Sequence, residues 1–140
     1  MSHEITREVY PYIHTIQARW LDFDILGHVN NVEYYRYFEA AIIRFLVDSG
    51  LDWIKDPVIP FAAETGCRFI KATPMVESVD AGLRVAHLGR SSMKFELGIF
   101  IPGDPYAYAT GFFVHVYVDR VTEKPVAIPE KLKRALESIS

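Results

Sequence analysis

A carboxylate placed just ahead of a helix start is the part of this sequence best suited to chemistry. Asp24 stands a few residues before the long apolar run that opens at Val32. The first turn of a helix offers backbone N–H donors without partners and a partial positive charge. A carboxylate facing such donors across a gap can attack a carbonyl carbon, or activate a water to do so, while the donors hold the carbonyl oxygen. That is a device for acyl transfer. Asp22 would share a face with Asp24 on extended backbone, so spacing alone does not rank the two. His28 could orient a water or a substrate group, or simply be a satisfied loop histidine. Asn31, at the helix start, could bind an acyl oxygen or an attacking water through its side chain, or act through its backbone. Gly27 lets the loop turn tightly or approach a ligand.

Other chemistries find less support. Cys67 is the single cysteine, so no intramolecular disulfide can form, and its strand setting suits a small core residue better than a nucleophile. His87 and His115 have no Cys or carboxylate at ligand spacing, so no metal site is expected. There is no Gly-x-Ser-x-Gly elbow and no phosphate-cradling glycine loop. A formal net charge of −3 with 24% charged residues carries no basic stripe, which argues against a nucleic-acid partner. No apolar stretch is long enough to span a bilayer, and the N-terminal residues lack a signal-peptide pattern. The expectation is a single cytoplasmic domain over residues 1–140.

The elements that must position these residues follow from spacing. Residues 14–20 have a strand pattern, broken by the loop chemistry of Asp22, Asp24 and Gly27. Asn30 suits a helix N-cap and Glu33 the matching capping-box position. Tyr34, Tyr35, Phe38, Ala41, Ile42, Phe45 and Leu46 then follow helical spacing, and Ser49-Gly50 ends the helix. Tyr37, Ala40, Ile43 and Val47 widen the apolar arc, so this helix is expected to be wrapped. Tyr34 and Tyr35 read as core or pocket wall, and Glu39 as a buried structural carboxylate or a subunit contact. Strands are expected at 64–71, 79–88, 93–101 and 106–119, with a turn at Gly89-Arg90-Ser91-Ser92 and a hairpin around Gly103. The last strand is apolar on both faces and needs cover on each. Residues 129–140 form a short amphipathic helix. The sum is an α+β arrangement in which an antiparallel sheet curls around a long central helix, and a second copy is the simplest cover for what remains.

The run Asp22-Phe23-Asp24-Ile25-Leu26-Gly27-His28-Val29-Asn30-Asn31, with Tyr34, Tyr35, Phe38 and Glu39 after it, closely resembles the hotdog-fold acyl-CoA thioesterases of the 4-hydroxybenzoyl-CoA thioesterase type. Gly89-Arg90-Ser91-Ser92 resembles that family's Gly-x-Ser-Ser turn, and Pro125-Val126-Ala127-Ile128-Pro129-Glu130 its closing segment. The resemblance implies a hotdog fold and active sites at a dimer interface, in a homodimer or a tetramer of paired dimers. It gives the chemistry to Asp24, as nucleophile or general base, with the Asn31 N–H polarising the thioester carbonyl. Asp22 is then structural. Gly27, Tyr35, Arg90, Ser91 and Ser92 would contact an acyl-CoA, with Lys94, Lys131, Lys133 and Arg134 as further cations for its phosphates. No cofactor is implied, since coenzyme A is part of the substrate. One departure stands out: where many members carry an Arg three residues after the helix Glu, this chain has Ile42. The fold also hosts dehydratases and non-catalytic acyl-CoA binders, so architecture alone leaves those alternatives open.

Overall fold

The alternation expected of the strand at 93–101 is realised almost without exception. Met93, Phe95, Leu97 and Ile99 are at most 1% exposed, while Lys94 and Glu96 on the other face are half-buried. The structure, a computed structural model, describes residues 5–140; residues 1–4 of the N-terminal segment lie outside the described residues. Its strands are β1 (Tyr12–Gln17), β2 (Val58–Phe69), β3 (Ser78–Leu88), β4 (Ser92–Phe100) and β5 (Ala109–Asp119). They form one sheet in the order β1-β3-β4-β5-β2, with every neighbouring pair antiparallel. Two helices complete the described chain, α1 (Glu33–Asp48) and α2 (Glu130–Glu137), together with two single 3₁₀ turns.

Helix α1 lies against one face of the sheet and buries Tyr34, Tyr37, Phe38, Ala41, Ile42, Phe45 and Leu46. Each large apolar side chain removed from water contributes roughly 2 kcal/mol before chain entropy is set against it. Close approach depends on Gly111 of β5, where an added Cβ would lie 2.6 Å from the Phe38 ring. The helix ends as expected. Gly50 adopts φ +104°, and the Leu51 N–H reaches back to the Leu46 carbonyl at 3.0 Å.

The helix start differs from expectation. Asn30 does serve it, since its side chain accepts the Val32 N–H at 3.3 Å and its carbonyl accepts the Glu33 N–H at 2.9 Å. Glu33 closes no capping box, because its carboxylate is held by Arg36 at 2.6 Å and Arg19 at 3.1 Å. Cations nearby outcompete the reach back to a neutral N–H. The first strand also ends early, and Trp20–Asp22 forms a 3₁₀ turn that brings Asp22 under the helix. Strand β2 is longer than expected and is broken by a register shift between Ala62 and Glu64. Strand β5 starts later than expected, at Ala109.

Within one chain the sheet covers only one side of α1. Val32, Tyr35, Ile43 and Val47 remain 36–64% exposed, so the wrapping that their apolarity demands is incomplete. Glu39 is on this open side and is exposed rather than buried. Ile42 points the other way and is 1% exposed in the core, a place where a guanidinium would be costly to bury. That accounts for the apolar residue at the departing position. The outer face of β5 is half-buried, whereas its inner residues Phe113, His115 and Tyr117 are at most 5% exposed. Strand β2 is a sheet edge, and Phe61 and Phe69 on it are 42% and 50% exposed. None of the described helices is long and apolar enough to cross a membrane.

Candidate active site

The loop between Asp22 and Asn30 is a small hairpin with its base at the start of α1. The Asn30 N–H donates to the Asp22 carbonyl at 2.8 Å, and Phe23 bridges Val29. Gly27 turns the tip with φ +78°, a conformation that costs a side-chain-bearing residue free energy. The hairpin is tied to the segment before β3 by the Val29 N–H, which donates to the Thr73 carbonyl at 2.9 Å, and by a bridge between His28 and Pro74. Thr73 is fully buried and pairs with the Tyr34 hydroxyl at 2.7 Å. Its role is not visible from sequence, because a lone Thr far from the motif carries no pattern.

Asp24 sits in the hairpin with one oxygen anchored. Its Oδ1 accepts the Leu26 N–H at 2.9 Å and the His28 N–H at 3.2 Å. This is an Asx turn of the kind Asp favours in loops. Among the described residues Oδ2 has no hydrogen-bond partner, and the residue is exposed. Asp24 lines a cleft of about 410 Å³ together with His28, Asn31, Tyr34, Phe69 and Lys71. Among the described residues the Asn31 N–H also meets no protein acceptor. The structure thus brings Asp24, His28 and Asn31 to one cleft at the start of α1, with an aromatic wall of Tyr34 and Phe69, whose rings meet edge-on at 5.1 Å.

Asp22 is a different kind of residue. It is fully buried, and its carboxylate accepts the Arg19 N–H at 2.9 Å, Arg19 Nε at 2.8 Å, Arg36 Nη2 at 2.6 Å and the Tyr37 hydroxyl at 2.8 Å. Burial by itself raises this carboxyl's pKa, but hydrogen bonds from the Arg19 N–H, the Tyr37 hydroxyl and the Arg19 guanidinium, with the charge of Arg36, hold it below the ordinary range. Burial and the contact with Asp22 push the Tyr37 hydroxyl up. A structural Asp22 bonded to loop amides is what the sequence suggests; it does not reveal Arg36, whose partner lies fourteen residues upstream.

Several expected contacts are not brought together. Tyr35 does not line the cleft; its ring packs on Phe38 and Phe113 at 6.1 and 6.2 Å. The Gly89–Ser92 turn lies at the other end of the sheet from Asp24. Register fixes this, because Gln17, just before the hairpin, pairs with Ser78 at the start of β3, whereas the turn follows Leu88 at its end. An 11-residue strand separates them by about 30 Å. Arg90 instead lines a second cleft, of about 770 Å³, with Lys133, Glu130 and Glu137 of α2. Gly89 donates its N–H to the Ser92 carbonyl at 2.8 Å, and the Ser91 carbonyl accepts the Tyr117 N–H at 2.7 Å. Lys131 reaches the Gly50 carbonyl, just past the end of α1, at 3.1 Å, and Arg134 lies 3.8 Å from Glu130.

The remaining candidates are structural. Burial pushes the Cys67 thiol up to about 11, away from the thiolate a nucleophile needs. His115 packs edge-on between Phe95 and Phe113 at 5.5 and 6.1 Å. Among the described residues no three His, Cys, Asp or Glu side chains gather as a metal would require. A cleft of about 650 Å³ on the outer sheet face, beside Cys67, Lys94 and Phe112, holds neither Asp24 nor the helix start.

The quartet Trp20, Leu21, Ile25 and Leu26 leaves 75–100% of its surface open around the hairpin. Contiguous exposed apolar side chains of this kind are found where a surface meets another molecule.

Comparison with known proteins fits this geometry. The thioesterase-like superfamily matches residues 18–136, which include the hairpin, α1 and the whole sheet beyond β1. The crystal structure of the PA5185 protein of Pseudomonas aeruginosa PAO1 is similar over 98% of this chain and 96% of its own, with 40% identity and a TM-score of 0.94. A thioesterase of Thermus thermophilus, solved with coenzyme A and Zn, shares 27% identity over 94% of this chain and 96% of its own, with a TM-score of 0.77. The uncharacterized protein YsmA of Bacillus subtilis strain 168 is 23% identical over 128 residues, 91% of this chain and 86% of its own. Five antiparallel strands packed on one long helix, the match along nearly the whole chain and these likenesses together give the conclusion: the chain belongs to the thioesterase-like superfamily and has the hotdog fold.

Proposed function

We propose that this protein hydrolyses an acyl-CoA thioester to the free acid and coenzyme A, with Asp24 as the reacting carboxylate. The observation that carries this reading is the pairing of Asp24 and Asn31 on one cleft at the start of α1. One Asp24 oxygen is anchored by Leu26 and His28, which leaves the other for chemistry. In one route Oδ2 attacks the thioester carbon, the C–S bond breaks, coenzyme A leaves as thiolate, and water opens the mixed anhydride. In the other, Oδ2 takes a proton from water, whose hydroxide attacks, and the thiol leaves with a proton. Both routes develop negative charge on the carbonyl oxygen, which the Asn31 N–H and the helix start stabilise. His28 orients the water or the acyl oxygen, and Gly27 turns the hairpin that carries Asp24. The reaction as proposed needs no cofactor.

The coenzyme A handle is supported by the Thermus thermophilus thioesterase that holds coenzyme A. Arg90, Ser91 and Ser92 are too far from Asp24 in one chain to serve the same molecule. A second copy resolves this. The open edge of β2, paired antiparallel with its own copy, carries the partner's Gly89–Ser92 turn toward Asp24, because β2 runs from the turn end of the sheet to the hairpin end. Such pairing also begins to cover Phe61, Phe69 and Tyr35. The working unit is therefore a homodimer, alone or doubled into a tetramer. The test is thiol release from a panel of acyl-CoAs by the wild type and Asp24→Asn. Hydrolysis by the wild type and its loss in the variant support the reading; equal rates in the two would remove Asp24 from it. Coenzyme A binding without thiol release would favour a silent binder.

A further inference from the structure

Asp22 joins the base of the hairpin to the first turns of α1. Its carbonyl holds the Asn30 N–H, closing the hairpin base, while its carboxylate holds Arg36 and Tyr37 in the first turns of α1. Arg36 is fixed from a second side by Glu33 at 2.6 Å and lies over the Tyr37 ring at 5.0 Å. The tip of the hairpin has little to hold it, with Ile25 100% and Leu26 75% exposed.

We infer that Asp22 is a positioning residue: its ion-paired carboxylate fixes the hairpin relative to α1 and so sets the gap between Asp24 and the Asn31 N–H. This rests on the reading of Asp24 as the reacting carboxylate. A buried ion pair adds little net stability over a shape-matched neutral set. What a guanidinium fork imposes is direction, because it satisfies a carboxylate in few orientations. The hairpin is held at its base by Asp22 and along its returning side by Thr73 and Pro74, so a tilt at the base shifts Asp24, two residues on, relative to the start of α1. A misplacement of about 1 Å can cost on the order of 10²-fold in rate.

The experiment uses the full chain, measuring kcat and KM for an acyl-CoA that the wild type hydrolyses, alongside thermal stability. The variants are Asp22→Asn, the double variant Asp22→Asn with Arg36→Met, and Asp24→Asn. In the double variant Arg36 no longer leaves an unpaired charge at the site, so its stability is expected close to the wild type. The positioning role predicts kcat down about 10²-fold in that variant with KM within about twofold, because neither residue lines the cleft. A double variant that keeps kcat within threefold of the wild type overturns the inference, as does a rise in KM with kcat unchanged. If Asp22→Asn alone fails to fold, the double variant and Tyr37→Phe carry the same comparison. Loss of activity in Asp24→Asn with full kcat in the Asp22 series refutes positioning alone. Full activity in Asp24→Asn refutes the reading of Asp24 and the inference with it.

Discussion

Asp24 and His28 hold each other twice. The Asp24 N–H donates to the His28 carbonyl at 2.8 Å, and Asp24 Oδ1 accepts the His28 N–H at 3.2 Å. The carboxylate is thereby oriented by backbone alone, and a side chain of the same shape could keep that hold.

Asp24→Asn therefore separates chemistry from folding. The amide oxygen can still accept from Leu26 and His28, so the melting temperature should stay within about 2 °C, a change well under 1 kcal/mol. Thiol release should fall by on the order of 10³-fold, since an amide neither attacks nor takes a proton. Calorimetry and a thiol assay on one preparation check both halves.

Gly27→Ala should weaken the hairpin. A Cβ at φ +78° meets no close atom, with Met75 Sδ nearest at 3.9 Å, so the cost is conformational rather than a clash. About 1 kcal/mol is expected, read by urea denaturation, with activity falling as the tip rearranges.

His115 should make stability depend on pH. Burial pushes its pKa down to about 4, below the ordinary value near 6.5. The unfolded chain therefore binds a proton between those values that the folded chain does not, so this contribution is complete above about pH 6.5 and is lost as pH falls toward 4. The loss is about 3 kcal/mol. His115→Phe should flatten that part of the curve, measured as unfolding free energy against pH.

Phe61→Asp tests the proposed pairing of copies. Phe61 is 42% exposed on the open β2 edge, where a new charge opposes edge-to-edge association. The wild type should elute as a dimer or tetramer and the variant as a monomer by light scattering. Activity should fall with assembly. An active monomer would show that one chain suffices.

The sequence is most legible where one pattern has one cause. The alternation of β4, the glycine stop of α1 and the hairpin at Gly103 are local, and each appears in the structure. The capping box fails because Glu33 pairs with Arg36, three residues on in the same helix, and with Arg19, which reaches it through the fold from fourteen residues away and which no local rule anticipates. The apolar neighbours of Glu39 suggest a buried carboxylate or a subunit contact; it is not buried, because it faces the side of α1 that the sheet leaves open. Asp24, His28 and Asn31 are grouped by motif and share a cleft. Arg90, Ser91 and Ser92 join them by resemblance, and only strand register reveals that they sit at the far end of the same chain.

The exposed rim beside the cleft has a practical consequence. Trp20 is 80% exposed and stands four residues before Asp24, while Trp53, the other tryptophan of the two, is half-buried in a different loop. The protein thus carries an intrinsic fluorophore next to its candidate site, and anything that shields the hairpin from water will shift that emission to the blue without a label.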